Sequence, residues 1–130
     1  ELTGCGCGGA GHLEEAASAD WLERRAKAAG LPADFKSLWQ MRAAPEAEAI
    51  ISPALEALAR GIASITVTLD PEAVILSGGM SRAAGLAEEL AARAQKYLPA
   101  PFRPYFTLKT SSLSGEAAVI GAASLFRESL

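Results

Sequence analysis

Both cysteines of the chain and its only histidine fall within eight residues, as Cys5, Cys7 and His12. Two thiolates and an imidazole are ligands that Zn²⁺ prefers. The glycines between them let the backbone turn tightly enough for three side chains to converge on one ion. A structural zinc site usually takes four ligands. The fourth would therefore come from a segment outside the chain, from Glu14 or Glu15, or from water.

Two other interpretations of this stretch remain open. Residues 4–9 and 6–11 each satisfy the GxGxxG dinucleotide fingerprint, but that fingerprint needs a preceding strand and an acidic residue about 20 positions later. Only three residues precede the first glycine, and Asp34 falls in a predicted loop, so this interpretation is disfavoured. In the other, the cysteines are small buried residues and the histidine caps a helix. A disulfide across one residue would be strained, which favours a reducing cytoplasm.

The composition excludes several classes of protein. The 130 residues allow at most one domain, and half of them are apolar. A net charge of −3, without clustered Lys and Arg, argues against binding to nucleic acid or to an anionic membrane surface. No apolar run approaches the roughly 18–20 residues that span a bilayer. Because the start has neither an initiator Met nor signal-peptide features, we expect a piece of a larger protein.

Helical patterns dominate the first half of the chain. A helix is predicted over residues 13–29, stopped by Gly30 and Pro32, and a loop or short helix over 32–42. A long helix follows, either from Ser52-Pro53 or, as we favour, from near Pro45 with Pro53 as a kink. Its spacing at the helical period predicts an apolar stripe of Ile51, Leu55, Leu58, Ile62, Ile65 and Leu69.

The second half alternates strands and helices. Residues 73–76 predict a strand that ends at Ser77-Gly78-Gly79, with a helix beginning after Ser81. Residues 105–110 predict a second strand, and residues 115–126 a helix of small side chains suited to lying flat on a sheet. Two strands beside about five helices are too few for helices on both faces of a sheet. This imbalance also indicates part of a larger α/β protein.

Three segments resemble one protein family. Residues 5–14, CGCGGAGHLE, match the CxCGxxG-[C]-xE signature of the ROK family (repressor, open reading frame, kinase), with His12 where most members have a third cysteine. Residues 69–79, LDPEAVILSGG, are similar to its strand and glycine turn, and residues 116–123, EAAVIGAA, to its closing helix. The resemblance implies an α/β fold: the C-terminal part of an actin-like ATPase (ribonuclease H-like) fold. Such a part is helix-rich, has a short parallel sheet, and is incomplete without its N-terminal lobe.

The resemblance also implies site residues. Cys5, Cys7 and His12 would hold a structural zinc whose fourth ligand is an upstream histidine, and Glu14 would accept hydrogen bonds from sugar hydroxyls. Gly78, Gly79 and Ser81 would lie on the nucleotide side; from the residues alone, the glycine pair is equally a tight strand-to-helix turn. The chain would divide into a zinc and sugar loop (1–14), a helical segment (15–69) and a βαβα nucleotide-side segment (70–130).

The implied function is that of the C-terminal lobe of an ATP-dependent hexose kinase, of glucokinase or N-acylhexosamine-kinase type. The family's phosphate loop, DxGGT, and its catalytic aspartate both precede the zinc loop, and neither string occurs in the 130 residues. ATP and Mg²⁺ would act in the intact parent, and the chain alone would be inactive. The alternatives are the effector-binding part of a sugar-responsive repressor and a self-contained zinc-braced interaction module.

The remaining expectations concern surroundings and partners. We expect a cytoplasmic protein that contacts neither membrane nor, through this chain, nucleic acid. Its partners would be a hexose and ATP in the intact parent, with a homo-oligomer as the assembly. The isolated chain would self-associate through its open sheet edge.

Overall fold

The computed structural model describes residues 5, 7–113 and 117–127 of the chain. In this part, six helices and two strands follow one another, with a single 3₁₀ turn at Met80–Arg82 between β1 and α5. In chain order the elements are α1 (Glu14–Ala17), α2 (Ala19–Ala28), α3 (Phe35–Gln40), α4 (Pro45–Leu69), β1 (Val74–Leu76), α5 (Leu86–Ala94), β2 (Leu108–Thr110) and α6 (Ala117–Arg127).

The first predicted helix is divided in two at Ser18. This residue is extended, with φ −74° and ψ 158°, and its hydroxyl oxygen accepts a hydrogen bond from the backbone N–H of Trp21 at 3.1 Å. Serine is a strong N-cap residue because its short side chain reaches back to the free amides of the next turn. The prediction of one uninterrupted helix over 13–29 was therefore wrong: α1 is a single turn, and α2 is a separate helix that begins after Ser18.

The long helix α4 begins at Pro45 and contains Pro53, as the favoured interpretation predicted. It is long and apolar enough to cross a membrane by length and composition alone. However, its buried residues pack against α1, α2, α3 and α5, as those of a core helix do. Gly61 allows the close approach of α1, because a Cβ at that position would lie 2.9 Å from Cδ2 of Leu13.

The apolar stripe of α4 was predicted correctly only over its first turns. Ile51, Leu55 and Ile62 are buried, whereas Ile65 and Leu69 are 48% and 71% exposed. The last turns instead bury Ala63 and Thr66, and the Thr66 hydroxyl donates to the carbonyl of Ile62 at 2.9 Å. Small side chains mark the buried face there, which a search for large apolar residues does not detect.

Strands β1 and β2 pair in parallel, with Val74 opposite Leu108 and Leu76 opposite Thr110. Both are three residues long, shorter than predicted, and in the described part of the chain they form a two-stranded sheet. The outer edge of each strand therefore lacks a strand partner among these residues.

The core is centred on the contact between α4 and α5. Leu38, Leu90 and Leu98 are its largest fully buried side chains. At the edge of this contact Arg93 of α5 joins both helices: its guanidinium donates to the Ser52 hydroxyl at 3.0 Å and to the Glu89 carboxylate at 2.8 Å. The packing of α5 on α4 thus combines apolar burial with a half-buried ion pair.

Helix α6 differs from the prediction that it lies flat on a sheet. Val119 and Leu125 are 70% and 72% exposed, and Ile120 is 44% exposed. The chain's total accessible surface is 8516 Å², whereas a compact monomer of this mass exposes about 6,500 Å². The difference is comparable to the surface buried in a standard protein–protein interface.

Candidate metal centre and ligand cleft

The cysteine loop, residues 5–12, brings three metal-binding side chains together. One ligand atom from each of Cys5, Cys7 and His12 lies within 4.8 Å of the others. The Cys7 Sγ is 3.5 Å from His12 Nδ1, and the backbone N–H of Gly9 donates to the same sulfur at 3.4 Å. The loop is closed by a 2.9 Å hydrogen bond from the Cys5 N–H to the Gly9 carbonyl. Residues two, five and seven positions apart thus meet at one point.

Glycine at position 9 is required by this arrangement. A Cβ there would lie 2.8 Å from His12 Cε1, closer than any unstrained carbon contact. Gly8 and Gly11 have φ values of +87° and +79°, which side chains with a Cβ adopt only with strain. The glycines therefore place the histidine ring over the thiols.

The three donors fit a zinc ion by chemistry and by spacing. Thiolates bound at about 2.3 Å in a tetrahedron lie roughly 3.8 Å apart, so donors within 4.8 Å of one another need only a small contraction. Cys7 and His12 are exposed, while Cys5 is half-buried. Zinc would be held by Cys5, Cys7 and His12, and would brace the loop. Neither carboxylate considered as a fourth ligand, Glu14 or Glu15, belongs to this group.

The two adjacent glutamates lie in opposite environments. Glu14 is exposed and its carboxylate forms no hydrogen bond with the described residues, so this carboxylate is accessible to a ligand approaching from outside. Glu15 is 6% exposed, and its Oε2 accepts the backbone N–H of His12 at 2.9 Å. Sequence reasoning considered Glu15 only as a possible metal ligand and missed this hydrogen bond to His12. The signal was a glutamate three residues after the histidine, the spacing of a capping box.

The glycine turn, residues 77–82, follows β1 and ends in the 3₁₀ segment Met80–Arg82. Gly78 has φ +98°, and a Cβ added at Gly78 or Gly79 would meet no atom within 4 Å. Ser81 is buried, and its hydroxyl donates to the Gly78 carbonyl at 2.8 Å. The expected helix N-terminus near Ser81 was wrong, because α5 begins only at Leu86. The predicted nucleotide-side residues therefore include two open backbone positions and one serine that fixes the turn.

A cleft of about 730 Å³ adjoins this turn. Gly79 and Met80 line one side, and Phe35 and Trp39 of α3 line the other. The two rings stack with centroids 5.8 Å apart. The cationic side chains of Lys36, Arg42 and Arg82 also line the cleft, together with the acidic side chain of Glu23. Trp39 is 4% exposed and belongs to the core, and sequence reasoning did not predict the cleft.

Trp39 connects the two sides of the cleft. Its indole N–H donates to the Ala84 carbonyl at 3.0 Å, which joins α3 to the segment after the glycine turn. The Arg42 guanidinium lies 4.7 Å from the Trp39 ring centroid and donates to the Trp39 carbonyl at 3.0 Å. One aromatic residue thereby fixes the width of the cleft and places a cation at its rim.

Two curated relatives of this chain are sugar kinases. The chain is 32% identical to a glucokinase of Thermotoga maritima, covering 95% of this chain and 45% of that protein. It is 30% identical to an N-acetylmannosamine kinase of Yersinia pestis (strain Pestoides F), covering 97% and 43% respectively. The chain thus spans less than half the length of these curated relatives.

Solved structures agree with these relatives. The chain superposes on a ROK hexokinase from Thermus thermophilus with a TM-score of 0.77 and 32% identity, covering 93% of this chain and 42% of that one. A ROK family glucokinase from Streptomyces griseus, in complex with glucose and AMPPNP, gives a TM-score of 0.76 and 26% identity, covering 93% and 46%. The helix-rich fold with its short parallel sheet is therefore part of the actin-like ATPase fold. The sequence model of the ROK family matches residues 1–129, and the chain belongs to that family.

Proposed function

We propose that this chain forms the C-terminal lobe of an ATP-dependent hexose kinase of glucokinase or N-acylhexosamine-kinase type. The observation that carries the proposal is the convergence of Cys5, Cys7 and His12 within 4.8 Å, next to the exposed carboxylate of Glu14. The named activities of the similar glucokinase and N-acetylmannosamine kinase support it. The reaction would transfer the γ-phosphoryl group of ATP to a sugar hydroxyl.

On the sugar side, residues 1–14 would form the zinc and sugar loop. Zinc bound by Cys5, Cys7 and His12 would hold the loop rigid, and Glu14 at the start of α1 would accept hydrogen bonds from sugar hydroxyls. Hydrogen bonds to an ionised carboxylate are about twice as strong as neutral ones. Because α1 packs closely on α4 through Leu13 and Gly61, the backbone that carries Glu14 would keep a fixed position.

On the nucleotide side, residues 70–130 would contribute the glycine turn and the cleft, while the intervening helices of residues 15–69 supply its aromatic wall. Gly78 and Gly79 leave open space in which a ligand can approach the backbone, and Ser81 would act by fixing the Gly78 carbonyl rather than by contacting the nucleotide. Phe35 and Trp39, which are 9% and 4% exposed, would form the apolar floor of the cleft beneath a base. The cations at the rim suit phosphate groups, whose charge Mg²⁺ would also neutralise in the intact protein.

The catalytic base and the phosphate loop would come from the remainder of the protein. We therefore expect the 130-residue chain alone to show no kinase activity. The apolar surface of α6 and the open strand edges would contact that remainder, and a homo-oligomer in the cytoplasm would be the working form. The isolated chain would instead self-associate through these surfaces.

The test of the sugar side is Glu14→Gln in the full-length protein, with Glu72→Gln as a matched control at another exposed glutamate. Loss of a charged acceptor should lower kcat/KM for the hexose about 10- to 100-fold, while the control remains unchanged. Glucose and N-acetylmannosamine would be compared as substrates. Equal kcat/KM values in both variants and the parent would overturn the assignment of Glu14.

The test of the nucleotide side is Arg82→Ala, with Lys27→Ala as the control because Lys27 is a basic residue outside the cleft. Calorimetry with a non-hydrolysable ATP analogue should show affinity several-fold lower only for Arg82→Ala. Metal analysis, calorimetry with glucose and with the ATP analogue, and a phosphorylation assay separate the alternatives. Stoichiometric zinc with neither sugar nor nucleotide binding would support an interaction module, and sugar binding without phosphorylation would support a repressor.

A further inference from the structure

Glu15 is the residue from which a further role can be derived. It is 6% exposed, and among the described residues its Oε1 has no hydrogen-bond partner. Its Oε2 accepts the backbone N–H of His12 at 2.9 Å, and its own N–H donates to the His12 carbonyl at 3.0 Å. Burying a carboxylate is unfavourable unless its interactions compensate. These two reciprocal hydrogen bonds both fix the residue that carries the imidazole.

The rest of the loop leaves the position of His12 dependent on this contact. The ring touches Cys7 Sγ through Nδ1 at 3.5 Å and overlies Gly9, whose missing Cβ makes room for it. Gly11, directly before His12, has φ +79°, and glycine permits wide backbone freedom. A glycine on one side and a buried anchor on the other mean that Glu15 fixes the backbone from which the imidazole projects.

We propose that Glu15 is a positioning residue for the metal centre, holding the backbone of His12 so that its imidazole meets the two thiols. This inference rests on the proposed zinc site. Glu15 is not itself a ligand, because its oxygens lie outside the group formed by Cys5, Cys7 and His12. Residues that orient metal ligands typically change metal affinity 10- to 100-fold when altered.

The test uses a pair of variants of similar volume that differ in the acceptor. Glu15→Gln keeps an oxygen for the His12 N–H, and Glu15→Met removes it. Zinc affinity of the full-length protein would be measured by competition with a chromophoric chelator, and ligand geometry by the absorption spectrum of the Co²⁺ form. We expect Glu15→Met to bind zinc roughly 10- to 100-fold more weakly with an altered Co²⁺ spectrum. Glu15→Gln should restore both.

Asp34→Ala separates positioning from a general loss of helix capping. Asp34 caps α3 by accepting the Ser37 N–H at 2.8 Å, outside the metal loop, so this variant should lose stability but keep zinc affinity and the Co²⁺ spectrum. Zinc affinity of Glu15→Met equal to that of the unsubstituted full-length protein would overturn the inference alone, as would a Glu15→Gln variant as weak as Glu15→Met. An unsubstituted full-length protein that binds no zinc would overturn the proposed metal site and this inference together.

Discussion

The cysteine loop and the glycine turn are both rich in glycine, but glycine has a different purpose in each. In the loop, Gly9 makes room for a neighbouring side chain, since a Cβ would lie 2.8 Å from His12. In the turn, a Cβ at Gly78 or Gly79 would meet nothing within 4 Å. The loop is therefore packed around its own ligands, whereas the turn leaves space beside its backbone. Composition alone does not distinguish a site that closes on an ion from one that receives a larger ligand.

The largest expected effect tests whether the helical core, rather than the cysteine loop or the glycine turn, provides most of the stability of the fold. Leu90 is 1% exposed between α5 and α4, whereas Leu69 is 71% exposed. Leu90→Ala should lower the free energy of unfolding by about 2–5 kcal/mol through lost burial and a residual cavity. Leu69→Ala should change it by less than about 0.5 kcal/mol. Urea denaturation of both variants gives the comparison, and similar losses would contradict it.

The next effect tests the close packing of the loop. Gly9→Ala should push the His12 ring away from Cys7 and weaken zinc binding roughly tenfold. Gly121→Ala is the control, because Gly121 lies in α6 with no atom within 4 Å of an added Cβ. Competition with a chelator measures both. Unchanged zinc affinity in Gly9→Ala would show that the loop tolerates a side chain at this position.

A smaller effect distinguishes the two glycines of the turn. Gly78→Ala should lower the free energy of unfolding by about 1–2 kcal/mol, because the φ of +98° at this position is unfavourable for a residue with a Cβ. Gly79 has φ −60° and ψ −42°, so Gly79→Ala should be neutral or stabilise by up to about 1 kcal/mol through the unfolded state. Denaturant titration measures both. Equal losses of stability in the two variants would mean that crowding, not backbone strain, determines which residues the turn tolerates.

The smallest effect concerns the cap of α3, on the opposite side of the cleft from the glycine turn. The Ser37 backbone N–H, and then its hydroxyl, lower the pKa of Asp34 below its ordinary value of 3.8. A lowered folded-state pKa means that the stabilisation is complete above the unfolded pKa and is lost as pH falls through the folded one. The stability difference between the parent chain and Asp34→Ala should therefore shrink in acid. A constant difference down to about pH 2 would contradict this.

Local patterns predicted much of this molecule. The convergence of Cys5, Cys7 and His12 was predicted because such side chains are rare in the chain and their spacing is short. The start of α4 and the strand at Val74–Leu76 followed from proline and from a run of β-formers. These features depend on residues close together in sequence, which is where propensities and spacing are informative.

The missed features depend on contacts between distant segments or on competing local hydrogen bonds. The cleft requires Trp39 to donate to the Ala84 carbonyl, 45 positions along the chain. The break at Ser18 arises because a side-chain hydroxyl competes with the helix for the Trp21 N–H. The burial of Glu15 beside an exposed Glu14 follows from how α1 packs on α4. A stretch of two like charges gives no sign of that difference.

The large accessible surface of the chain also has a thermodynamic consequence. A folded form that already exposes about 2,000 Å² more than a compact monomer has less new surface to expose on unfolding. Its heat-capacity increment should fall below the usual ~12–15 cal/mol/K per residue, and its denaturant slope should be correspondingly small. The stability curve of the isolated chain would be flat against temperature, and covering α6 would steepen it.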